Sequence, residues 1–140
     1  MPPESVARSY EGRCHCGAIR FRFRSEEITE GRRCNCSICI RKGAVVSARY
    51  YQPEEFDLIQ GRDDLSIYRF GDKIVNHYFC RHCGIYPFHD GTGEYEGRYR
   101  VNLGCVDGVD VLALEDCLLW KHEQPPMAAD VEWRREFALD

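Results

Sequence analysis

Apolar and charged side chains alternate most clearly around the first phenylalanines, where Ile19, Phe21 and Phe23 interleave with Arg20, Arg22 and Arg24. A period of two places the two sets on opposite faces, predicting a half-buried antiparallel strand with a solvated arginine face. The valine- and tyrosine-rich tract Ala44–Tyr51 predicts a second strand that Pro53 stops, and Phe56, Leu58 and Ile59 alternate loosely before Gly61. Leu65–Phe70 and Ile74–Phe79 flank Gly71-Asp72-Lys73 as a hairpin. Arg98–Val106 reads as a further strand, and Val109–Leu114 as a short apolar run. Past Pro125 and Pro126, the tract 128–139 carries Val131, Trp133 and Phe137 on one side and predicts a short helix. No strand–helix alternation occurs, so the expected class is mainly β, a single domain of short antiparallel strands over residues 1–140.

Composition narrows the partners. A net charge of −4 lacks the basic stripe of a phosphate-gripping domain, so no nucleic acid is expected. The opening residues contain Pro2, Pro3, Glu4 and Arg8 but no apolar secretory core, and no run is long enough to span a bilayer. A cytoplasmic, reducing compartment is therefore expected. There, of the nine cysteines, those grouped at C-x-C and C-x-x-C spacing are expected to be metal ligands rather than disulfide partners.

Seven of these cysteines fall into three groups. Cys14-His15-Cys16-Gly17 and Cys80-Arg81-His82-Cys83-Gly84 are half-sites that each end in glycine, as a tight metal knuckle requires. Paired, Cys14, Cys16, Cys80 and Cys83 make a closed four-thiolate structural zinc. Cys34, Cys36 and Cys39 have no fourth ligand nearby in sequence, leaving a zinc position for water or substrate. His15 and His82 sit between ligands and are expected to point away. His77, His89 and His122 read as packed or surface imidazoles, Cys117 is unassigned, and Cys105 is at most a distant donor to the open zinc.

An open, thiolate-rich zinc suits a further thiol, whose proton it displaces to leave a nucleophile for an aldehyde carbonyl; alternatively the metal polarises the aldehyde oxygen while the thiol attacks from outside. Arg32, Arg33, Arg41 and Lys42 flank the trio and suit a small partner bearing carboxylates, although they also balance the thiolates.

Gly12-Arg13-Cys14-His15-Cys16-Gly17, Cys34-Asn35-Cys36-Ser37-Ile38-Cys39 and Tyr78-Phe79-Cys80-Arg81-His82-Cys83-Gly84, with Arg100–Cys105 further on, resemble the glutathione-dependent formaldehyde-activating enzyme (GFA) and centromere protein V-like family. The resemblance implies a β-tent-like fold stapled by zinc, with a core of about residues 12–111 and an extension at about 120–140. It also implies two zincs per chain. The carried-over activity is carbon–sulfur lyase chemistry, forming or splitting S-(hydroxymethyl)glutathione. With glutathione as the expected co-substrate, the flanking Arg32, Arg33, Arg41 or Lys42 are the expected contacts for its carboxylates. A non-catalytic zinc module that binds glutathione or a protein is the alternative, and redox or metal sensing through the middle cysteines is a third reading.

Overall fold

In the computed structural model, which describes residues 7–71 and 73–120, ten short strands and one short helix form three small sheets. The first sheet has the order β1-β2-β5, from β1 (Arg8–Arg13), β2 (Arg20–Ser25) and β5 (Phe56–Gln60). Alternation in β2 does what its pattern requires. Phe21, Phe23 and Ser25 are buried while the intervening arginines face solvent. Arg22 pairs across the strands with Glu11 at 3.0 Å, an exposed ion pair of small energetic weight.

A second sheet, β6-β7-β8-β9, is antiparallel throughout and comprises β6 (Leu65–Tyr68), β7 (Val75–Cys80), β8 (Phe88–Gly91) and β9 (Arg100–Val101). The third contains β3 (Glu30–Cys34), β4 (Val46–Ser47) and β10 (Glu115–Trp120), with the six-residue helix α1 (Ser37–Lys42) between β3 and β4. Here β10 runs parallel to β3, the exception to the expected antiparallel pairing.

Aromatic side chains from the first two sheets fill the space between them. Phe21 lies 5.6 Å from Phe56 and 5.5 Å from Phe88, and the Phe56 and Tyr99 rings stack at 4.1 Å. Cys14 and Cys80 belong to this same buried cluster, so the first metal group is part of the core.

Several tracts differ from their sequence pattern. Arg8–Arg13, where the hydrophobic pattern predicts no element, is a strand: as an edge strand it buries little, and Tyr10 stacks on Phe23 at 5.5 Å. Ala44–Tyr51 shrinks to Val46–Ser47, with Tyr51 bridged to Tyr99. Arg98–Val106 keeps two strand residues before the Asn102 side chain accepts from the Gly104 N–H at 3.0 Å and turns the chain. The helix expected over 128–139 and His122 lie outside the described residues. Among the described residues no helix is long and apolar enough to cross a membrane.

Candidate metal centres

The two outer cysteine pairs form matching knuckles. After β1, the Gly17 N–H donates to the Cys14 carbonyl at 3.2 Å and the Ile19 N–H to the Cys14 Sγ at 3.3 Å. After β7, the Gly84 N–H donates to the Cys80 carbonyl at 2.8 Å and the His82 N–H to the Cys80 Sγ at 3.4 Å. Both glycines hold left-handed backbone, φ +85° at Gly17 and +79° at Gly84, a conformation an L side chain strains to adopt. The backbone donors aimed at sulfur favour thiolates.

The sulfurs of Cys14, Cys16, Cys80 and Cys83 all lie within 4.8 Å of one another. Cys16 stands 3.7 Å from both Cys14 and Cys80. Four sulfurs at a Zn–S length of ~2.3 Å form a tetrahedron with edges of ~3.8 Å, so the arrangement fits zinc closely. His82 turns away, its Nε2 lying 2.8 Å from Asp64 Oδ1, and His15 is exposed. Cys105 joins neither group: its thiol donates to the Tyr86 carbonyl at 3.7 Å, and burial pushes its pKa up to about 12. A cleft of about 400 Å³ is bordered by Cys14, His15, Asn102 and Cys105. It adjoins the closed four-sulfur group, which leaves a metal no free position there.

The middle trio depends on α1. Cys34 ends β3, Cys36 is the residue before the helix, and Cys39 lies in the helix. Their sulfurs also fall within 4.8 Å of one another, and the Cys36 N–H donates to the Cys34 Sγ at 3.4 Å. The Cys39 thiol, by hydrogen bonding, holds Cys36 down to about 5, while the same pairing and burial raise Cys39. Three sulfurs this close cannot all ionise without a cation among them. Among the described residues no fourth cysteine, histidine or carboxylate joins this group, so the donor set suits zinc with one position left over.

Of the flanking basic residues, Arg32 pairs with Glu30 at 2.9 Å, Arg41 donates to the Ser37 carbonyl at 2.9 Å, and Arg33 is exposed at the end of β3. Lys42 behaves differently. Its ammonium turns inward, 2.8 Å from His77 Nδ1 and 3.6 Å from the centre of the Tyr86 ring.

Beneath α1, Tyr68, His77, His89 and Arg100 are successive cross-strand partners, one from each of β6 to β9. Tyr86 reaches this row through its hydroxyl, 2.7 Å from His89 Nδ1. Burial and the Lys42 charge lower His77 to about 3 and hold His89 well below the usual imidazole range, so both rings are neutral. Burial raises Tyr86 well above the usual phenol range and draws Lys42 down to about 8, against the pull of the Cys39 and Cys36 thiols. At the far end, Arg100 donates to the Ser47 carbonyl at 2.6 Å, with its guanidinium 4.1 Å from the Tyr50 ring centre. Tyr50, His89 and Tyr95 border a cavity of about 170 Å³. His77 and His89 show no partner spacing in sequence, because only strand register aligns them.

Fold and sites together define a small β domain with a closed four-thiol group in its core and an open three-thiol group on a short helix. The family model of the glutathione-dependent formaldehyde-activating enzyme matches residues 9–121, and the chain belongs to that family. A Halomonas elongata protein, whose curated name provisionally assigns it as a glutathione-dependent formaldehyde-activating enzyme, is 33% identical over 79 residues, 52% of this chain and 50% of its own. The chain thus spans about half the length of this curated relative. A crystal structure of a Rhodobacter sphaeroides protein superposes with a TM-score of 0.66 at 32% identity, covering 76% of this chain and 98% of the other.

Proposed function

We propose that this chain catalyses the joining and splitting of thiol–aldehyde adducts, as a zinc-dependent carbon–sulfur lyase of the S-(hydroxymethyl)glutathione synthase type. The observation that carries the reading is the middle group: three sulfurs within 4.8 Å, with no fourth metal-binding side chain among the described residues. Family membership supports glutathione and formaldehyde as the substrate pair.

A zinc ion held by Cys34, Cys36 and Cys39 would supply a Lewis-acid position at which a thiol is deprotonated near neutral pH. The protein's own part is positional. α1 fixes Cys39, and the helix start fixes Cys36, against the end of β3, and exposed Arg33 and Arg41 present cations at the rim for the carboxylates of glutathione. Lys42, of the same expected set, is turned inward onto His77 and Tyr86, and in this reading Arg33 and Arg41 are the rim contacts. Cys14, Cys16, Cys80 and Cys83 act structurally.

Adduct exchange between formaldehyde and glutathione, followed by NMR exchange spectroscopy, tests the proposal. Zinc-loaded protein is expected to accelerate exchange beyond the spontaneous rate, and Cys36→Ser to abolish the acceleration while the four-thiol zinc is retained. Glutathione binding without acceleration would assign the chain as a carrier module instead.

A further inference from the structure

We propose that Lys42 is a catalytic residue whose ammonium donates a hydrogen bond to the carbonyl oxygen of the aldehyde as the thiol adds. The inference rests on the proposed thiol–aldehyde chemistry and assigns a residue to the oxygen side of that reaction. In the balanced step, a sulfur electron pair forms the C–S bond and the C=O π pair moves onto oxygen. The proton released from the thiol to solvent returns to that oxygen, giving RSH + R′CHO → RSCH(OH)R′. Lys42 remains a cation throughout.

Four features of the structure point to this role. Lys42 follows Cys39 by three residues in α1, so both project from the same side of the helix. It shares the six-residue helix with Cys39, and the Cys39 and Cys36 sulfurs, which would hold the zinc, act on its charge against the effect of burial. It forms no ion pair with any described carboxylate, so its charge is not consumed in a salt bridge. Its surroundings are also fixed: neutral His77 accepts one N–H at 2.8 Å, and the Tyr86 ring, anchored through His89, covers another side. An ammonium has three N–H donors, and among the described residues His77 is the acceptor that takes one. A preorganised cation with a donor to spare, on the helix that carries Cys39 and turned away from the outer rim, suits charge that develops on oxygen during attack.

His77 is a positioning residue in this scheme, because it holds the ammonium without touching the aldehyde. A surface lysine gripping a glutathione carboxylate would strengthen thiol binding, whereas a donor to the aldehyde oxygen leaves thiol binding unchanged and alters the rate at saturation.

The test compares wild type with Lys42→Met, in full-length zinc-loaded protein, by metal analysis, calorimetric titration with glutathione, and formaldehyde–glutathione exchange. Lys42→Met is expected to hold both zincs, bind glutathione within about twofold of wild type, and lose on the order of 10²-fold in rate at saturating thiol. An unchanged rate, or weaker glutathione binding with an unchanged rate at saturation, overturns the assignment. If wild type gives no acceleration, the proposed function fails first, which separates the two results. Should Lys42→Met fail to hold its metals, His77→Leu replaces it: the ammonium stays but loses its acceptor. A rate fall of about tenfold with unchanged glutathione affinity is then expected, and no fall overturns the proposal.

Discussion

At the scale of single residues, the paired histidines beneath α1 make stability depend on pH in a definite direction. His77 titrates at about 3 when folded, and His89 well below its ordinary value, because burial and the Lys42 charge oppose protonation. Unfolded, both take up a proton near pH ~6.5. The unfolded chain therefore binds more protons than the folded one below that pH, and stability falls as the solution is acidified from about 6.5 toward 3. Each fully titrating group contributes a slope of ~1.4 kcal/mol per pH unit. Denaturant unfolding at fixed zinc between pH 7 and 5 is expected to show this loss, and His77→Gln to flatten it by one histidine's share. An identical slope in the variant would mean that His77 carries none of the dependence.

Among elements, α1 decides the geometry of the middle site, since it carries Cys39 and Lys42 and begins directly after Cys36. Its end is set by Gly43, at φ +65°, whose N–H donates to the Cys39 carbonyl at 3.0 Å. No atom lies within 4 Å of where a Cβ would stand, so Gly43→Ala meets only the left-handed backbone penalty. A loss of ~1 kcal/mol in unfolding free energy is expected, with weaker zinc retention at the middle group than at the four-thiol group. Thermal melts paired with metal analysis check both. This helix was also the element least legible in the sequence. Six residues are too few to display a 3.6-residue period, so the sequence pattern assigns Ser37–Lys42 to no element. Phe21 and Phe23 were legible because strict alternation has a local cause, and the division of seven thiols into four and three followed from spacing and the knuckle glycines. Lys42, His77 and His89 were not legible as a cluster. Strand register alone makes His77 face His89, and the helix alone turns Lys42 inward when its sequence neighbours suggest a basic rim.

Across the whole molecule, the two sulfur groups differ in what they hold together. Cys16 and Cys80 are 64 positions apart, and their group joins the turn between β1 and β2 to the end of β7. Closing a loop of that length removes about 4 kcal/mol of unfolded-chain entropy. Cys14 and Cys80, at 1% and 0% exposure, also pack in the cluster that contains Phe21, Phe88 and Leu103. The middle trio instead spans only the end of β3 and the start of α1, with all three cysteines partly exposed. Metal removal should therefore proceed in two stages. Titration with a chelator is expected to withdraw the middle zinc first, with little change in the near-ultraviolet circular dichroism of the aromatic core. Further chelator then withdraws the four-thiol zinc, and the tertiary signal is lost with it. Cys80→Ser should abolish the folded signal at once, and Cys39→Ser should leave it largely intact with one zinc per chain. Release of both metals in a single step, together with loss of the aromatic signal, would show that the middle group also supports the fold. In that case the inactivity of Cys36→Ser could not be attributed to chemistry alone, and the rate at saturating thiol in Lys42→Met, measured with both zincs retained, would become the more direct probe of the reaction centre.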